Sequence, residues 1–303
     1  MSHARLKIAV VQFSPKIGRV EENIRRAEKI CADIQPRSVD LLCLPEMSFS
    51  GYVFANSKAI SPVLESPQTG PTSVFCAQLA ARLQCHVAAG YPERLEPNEQ
   101  CPGNDNDGNP VDLVGANSAV LYGPEGTWIG NYRKTNLFRV DKSWAKPGTG
   151  FATYHLPPPL GTVTVGICMD LNSFLPDQHW AIDGPYEIAQ HCIDTDTNVL
   201  LLLNAWLDSQ EDQDSDEDWP TLNFWAARLR PLWNTVDEPS DGVDVPGSHA
   251  PTTTVVICNR TGDENGSLFA GSSSLFHLQR GAGKARLVEV MGRTEEGLRT
   301  WTV

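Results

Sequence analysis

The chain has 303 residues, 41% of them hydrophobic, enough to bury a large core as one big α/β domain or two smaller ones. A net charge of −13 argues against a nucleic-acid partner, and no apolar run approaches the ~20 residues that a membrane helix needs. The polar first seven residues lead into a strand and lack the pattern of a signal or transit peptide, and the eight cysteines are irregularly spaced, so reduced thiols in the cytoplasm are expected. No C-x-x-C or H-x-x-x-H spacing points to a metal, and no cofactor is expected.

Taken in order, K-I-A-V-V-Q-F at 7–13 reads as a strand stopped by Pro15. Val20, Ile24, Ala27, Ile30 and Ile34 then recur at helical spacing, with Glu21 and Glu22 at the positive end of the helix dipole. A second strand at 39–44 ends in Pro45-Glu46. A carboxylate there, beside apolar neighbours, is expected to have a raised pKa and to serve as a base; the competing reading is a solvated loop acid. A helix at 73–84 and a strand at 86–91 follow, then a long polar loop at 96–112. Strands at 117–122 and 128–132 are joined by a Gly-Pro-Glu-Gly hairpin signal. Lys134 comes directly after them, at a third strand end, where the alternative is a surface lysine. The β-branched run at 162–167 delivers Cys168 to a sharp turn. There a thiol meets substrate and backbone N–H groups can meet an oxyanion, unless Cys168 merely fills a core.

Beyond it, 186–192 reads as helix and 197–203 as a strand closed by Asn204-Ala205-Trp206. The seven acids of 208–218 suggest a solvated, self-repelling loop. A helix at 219–233, a loop at 235–250, and strands at 252–258, 267–278 and 285–291 complete the pattern. Neither a repeat nor a linker composition interrupts it, so one domain over 1–303 is expected.

Glu46, Lys134 and Cys168 thus stand in order, each at a strand end. Their segments, L-P-E-M-S-F-S-G-Y at 44–52, Y-R-K-T-N-L-F at 132–138 and G-I-C-M-D at 166–170, resemble the nitrilase (carbon–nitrogen hydrolase) superfamily. V-L-L-L-L-N-A-W at 199–206, and C-N-R-T-G at 258–262 with A-G-S-S at 270–273, fit the same order. The resemblance implies an α-β-β-α sandwich, two facing sheets covered by helices, often paired into a homodimer. It also implies hydrolysis of non-peptide C–N bonds: Cys168 as nucleophile, Glu46 as proton carrier, and Lys134 with the backbone N–H of Met169 around the oxyanion. The ammonium beside the thiol is expected to lower its pKa. Many members carry a glutamate seven residues after the lysine; Asp141 stands there, to orient Lys134 or the substrate.

Within the superfamily the chain looks most like the fungal N-terminal amidase branch. That branch removes the side-chain amide of N-terminal Asn or Gln in peptides and proteins, a step toward an Arg/N-degron. Asp170, two residues past the nucleophile, is then expected to bind the peptide's α-ammonium, to cap the turn after Cys168, or both. Asn204 and Trp206 are expected to line the pocket. The rival readings are an amidase of free small amides or N-carbamoyl compounds, and a catalytically silent peptide-binding module.

Overall fold

The computed structural model describes residues 5–234 and 250–303, so almost all of the loop expected at 235–250 lies outside the described residues. The first half of the chain runs β1 (Lys7–Gln12), α1 (Val20–Ile30), β2 (Leu41–Cys43), α2 (Ser57–Ile60), α3 (Pro71–Leu83), β3 (His86–Arg94), β4 (Cys101–Asn104), β5 (Pro110–Leu113), β6 (Gly115–Tyr122) and β7 (Trp128–Arg133). The second runs β8 (Ala152–Leu156), β9 (Gly161–Ile167), α4 (Glu187–Asp194), β10 (Val199–Asn204), α5 (Trp219–Arg228), β11 (Thr252–Asn259), β12 (Thr261–Glu264), β13 (Ser267–Ala270), β14 (Ser274–Gln279), β15 (Arg286–Val290) and β16 (Gly297–Thr302).

Two six-stranded sheets result, ordered β16-β1-β2-β3-β6-β7 and β15-β14-β11-β10-β9-β8. Each has three parallel strands at its centre, β1-β2-β3 and β9-β10-β11. Successive side chains of a strand point to opposite faces, and β1 shows it. Ile8 and Val10 pack with Val163, Val165 and Leu201 of the second sheet. Ala9 and Val11 pack with Ala27 of α1 and Leu79 of α3. On the far side of the second sheet, a Cβ on Gly166 of β9 would meet Ile188 of α4. The architecture is the α-β-β-α sandwich that the family resemblance implied.

Four expectations change. The polar stretch 96–112 contains the hairpin β4–β5, whose turn is held by Asp105 accepting from the N–H groups of Asp107 and Asn109. β8 and β16 are half-exposed edge strands with little apolar alternation to announce them. The strand expected at 267–278 breaks into β13 and β14, with Gly271 and Ser272 between them at positive φ. The acidic run is only partly solvated. Asp208 and Asp218 are buried and face Arg293, whose guanidinium lies 2.8 Å from Asp208 and 3.6 Å from Asp218.

The site is placed by strand ends. β2 and β7 of one sheet lead to Glu46 and Lys134, while β9 and β10 of the other lead to Cys168 and Asn204. The segment carrying Glu46 passes so close to β3 that a Cβ on Gly90 would lie 2.6 Å from the Glu46 Cα. Only glycine admits that approach. Among the described residues no helix is long and apolar enough to cross a membrane.

Candidate active site

Cys168 opens a single 3-10 turn, Cys168–Leu171, directly after β9. Its φ of 45° is left-handed, a conformation that crowds any Cβ. Hydrogen bonds on both sides hold the turn. The Cys168 N–H donates to Asn204 Oδ1 at 3.0 Å, and the Ile167 N–H donates to Asp170 Oδ2 at 2.8 Å. The Asp170 carboxylate also accepts from the Tyr132 hydroxyl at 2.7 Å and from the N–H groups of Thr135 at 3.0 Å and Asn136 at 2.8 Å. It therefore ties the turn carrying Cys168 to the turn carrying Lys134.

This overturns the role expected of Asp170 in substrate binding. Its side chain is fully buried, both oxygens are occupied, and it stands behind the turn instead of on the cavity wall. As a cap it differs as well: it occupies the third position of the turn and reaches back to the preceding N–H.

Lys134 is 1% exposed and lies between two carboxylates, 2.6 Å from Glu46 Oε1 and 2.7 Å from Asp141 Oδ2. Asn117, in the wholly buried strand β6, donates through its Nδ2 to both acids, at 2.7 Å to Glu46 and 2.9 Å to Asp141. Asp141 accepts further from the Phe138 N–H and the Tyr52 hydroxyl. Asp141 thus holds Lys134 in place from a fully buried position and, unlike the pocket residue expected, is not on the cavity wall. The second oxygen of Glu46 accepts from the Ala205 N–H at 2.7 Å. The residue after Asn204 thus fixes Glu46, and Asn204 itself fixes Cys168.

Asn204 does not line the pocket as expected. It is fully buried, and its Nδ2 has no hydrogen-bond partner among the described residues. Trp206 does line it, with Cys168, Met169 and Phe138, in a cavity of about 430 Å³. Asn117 escaped the sequence reading, although a polar pair, Asn117-Ser118, inside a strand with no exposed position was the available signal.

Burial raises the Glu46 carboxyl above its ordinary value; Lys134 pulls it down and Asp141 adds to the rise. Burial also works against the Lys134 charge, but Asp141 and Glu46 outweigh it and hold the ammonium protonated. The Cys168 thiol is pushed well up, by burial first and then by Glu46, with Lys134 only partly compensating. The expectation of a lowered thiol pKa is thereby reversed: burial disfavours the thiolate, and the nearby Glu46 carboxylate adds to the rise beyond what the one ammonium offsets. A protonated thiol needs a base at the moment of attack, and a carboxylate with a raised pKa is suited to that task. Among the described residues no group of three or more His, Cys, Asp or Glu side chains is placed to hold a metal. All eight cysteines are free thiols.

A buried thiol on a strained turn thus stands with a carboxylate and an ammonium beside it on a two-sheet sandwich. The carbon-nitrogen hydrolase family model matches residues 7–173. The chain is 30% identical over 97% of its length, and 98% of the relative's, to the protein N-terminal amidase of Schizosaccharomyces pombe. It is 28% identical over 67% of its length to the protein of that name from Saccharomyces cerevisiae, of which the match spans 45%. In three dimensions it resembles a crystal structure of an N-terminal amidase with an Asn-Glu-Ala peptide, at a TM-score of 0.77 and 19% identity, covering 99% of this chain and 97% of that one. A structure with a Gln-Gly peptide gives the same TM-score at 20% identity and the same coverage. The chain belongs to the carbon–nitrogen hydrolase family and is a hydrolase of carbon–nitrogen bonds other than peptide bonds.

Proposed function

We propose that this enzyme removes the side-chain amide of an N-terminal Asn or Gln, leaving Asp or Glu and releasing ammonia. The observation that carries the reading is the position of the nucleophile. Cys168 is 6% exposed and lies at the inner end of a cavity of about 430 Å³, large enough for a terminal residue and its neighbour. The near full-length likeness to the fission-yeast N-terminal amidase supports the same substrate class. The α-ammonium of a terminal residue then meets the ring of Trp206, an aromatic surface that accepts a cation.

In this mechanism the Cys168 sulfur forms a bond to the amide carbon while Glu46 takes the thiol proton. Lys134 and the Met169 N–H stabilise the oxyanion. Glu46 passes the proton to the nitrogen, the C–N bond breaks, and ammonia leaves a thioester. Water attacks the thioester, giving its proton to Glu46, which returns it to the departing thiolate. The test is ammonia release from Asn- and Gln-peptides, their N-acetyl forms, and free small amides. Turnover of the free-amine peptides with poor turnover of the acetylated ones is expected; faster turnover of free small amides would replace this reading by the small-amide one.

Two further results are expected. The acid limb of kcat/KM should lie above the ordinary carboxylate range, because Glu46 must be ionised to act and burial raises its pKa. Activity is then lost as pH falls through that raised value, and a limb at an unshifted carboxylate pKa would remove Glu46 as the base.

Asp170→Asn should lower stability by about 1–3 kcal/mol, since its amide sets a donor against the Ile167 N–H. Turnover of free and acetylated peptides should fall together, leaving their ratio unchanged. A narrowed ratio would restore Asp170 as the ammonium reader.

A further inference from the structure

The cavity has an inner end and a rim. Cys168, Met169 and Trp206 are nearly buried, whereas Trp180 is 58% exposed and Glu211 is also exposed. Inner end and rim are joined by one aromatic surface. Trp206 contacts Phe224 at 5.6 Å and Trp180 at 5.8 Å between ring centroids, and Trp180 contacts Phe224 at 6.0 Å. Two carboxylates line the cavity, and their states differ. Asp208 is ion-paired with Arg293 at 2.8 Å and accepts the Gln210 N–H at 2.7 Å. Glu211 is anchored by its backbone, its carbonyl accepting from Arg293 at 2.7 Å and its N–H donating to Ser209 Oγ at 3.1 Å. Its carboxylate has no hydrogen-bond or ion-pair partner among the described residues, so it stands at the rim as an unneutralised charge.

In an N-terminal Asn the α-nitrogen lies only about 3–4 Å from the amide carbon, by covalent geometry. The ammonium is therefore confined to the inner end with Cys168, and the second residue's side chain is the first part of the peptide to reach the rim. We propose that this rim selects a basic second residue. The aliphatic stem of a Lys or Arg lies along Trp180 and Phe224, its cationic head meets Glu211, and an acidic second residue is disfavoured. The inference rests on the N-terminal amidase reading above.

The experiment measures kcat/KM for ammonia release by the full chain from Asn-Lys-Ala, Asn-Gln-Ala and Asn-Glu-Ala peptides. A Lys-to-Glu preference of roughly 5- to 20-fold is expected, the range that an exposed ion pair and a cation–π contact give together. Glu211→Gln should reduce the preference to about 2-fold, as that ion pair is lost, and Glu211→Lys should reverse it. Asp214→Asn removes an equal charge from an exposed position off the cavity wall and should retain the preference. A flat wild-type series overturns the inference, as does a preference that survives Glu211→Gln. Equal loss in Asp214→Asn overturns it as well, by assigning the effect to the chain's overall negative charge. Ammonia released with no preference leaves the amidase reading intact; no ammonia from any of the three peptides overturns both.

Discussion

Cys168→Ala is expected to reduce ammonia release from an N-terminal Asn peptide to background, a loss of roughly 10⁴-fold or more. The fold should survive. Alanine keeps the Cβ, so the left-handed backbone at φ 45° is no more strained than before, and the Asn204–Cys168 N–H bond does not involve the side chain. Cys168→Ser should be nearly as inactive, since Glu46 is matched to a thiol and an alcohol holds its proton far more tightly. In the wild type, a rapidly quenched reaction should show Cys168 carrying the added mass of the acyl group. More than trace turnover by the alanine variant, with the melting temperature preserved, would take the nucleophile role from Cys168.

Changes to the buried charges should have the next largest effects, and of two kinds. Glu46→Gln should cost about 10²–10⁴ in kcat, the usual worth of a positioned proton carrier. Its amide also sets a donor against Lys134 and Asn117 or against the Ala205 N–H, all of which now donate to the carboxylate. Lys134→Ala should cost both rate and folding. It removes the charge that the proposed mechanism sets against the oxyanion, and it leaves two buried carboxylates without their cation, a defect of about 3–5 kcal/mol. Lys134→Arg should not rescue it, because a planar guanidinium does not fit where one compact ammonium meets acids at 2.6 and 2.7 Å. Kinetics and thermal melts on the three variants separate the two kinds of loss. A folded Lys134→Arg enzyme at wild-type rate would contradict the oxyanion role.

The meeting of Glu46, Lys134 and Cys168 was legible in the sequence because each follows a strand, and the strand's end fixes where the next side chain emerges. Direction within a turn was not legible. Asp170 is two residues from Cys168, but the left-handed backbone of Cys168 and the 3-10 turn carry it behind the site, where backbone donors occupy it. Asn204 and Trp206 are also two apart, and the one faces the Cys168 backbone while the other faces the cavity. The acidic run misled for a related reason. Charge count is visible in one stretch, but its partner Arg293 lies far along the chain. The same distance hides β16, whose pairing partner β1 is the first strand.

That last pairing bears on how the protein is made. Lys7 pairs with Thr302 and Gln12 with Gly297, so β1 leaves the ribosome long before the strand that fills its edge. Until then β1 offers a row of unpaired backbone groups on an apolar strand, the kind of edge that recruits other chains. Arg293, just before β16, arrives equally late and brings the anchor of the cavity wall with it. Closure of the first sheet and completion of the substrate cavity therefore fall at the same late moment of synthesis, and a nascent chain stalled before residue 293 lacks both.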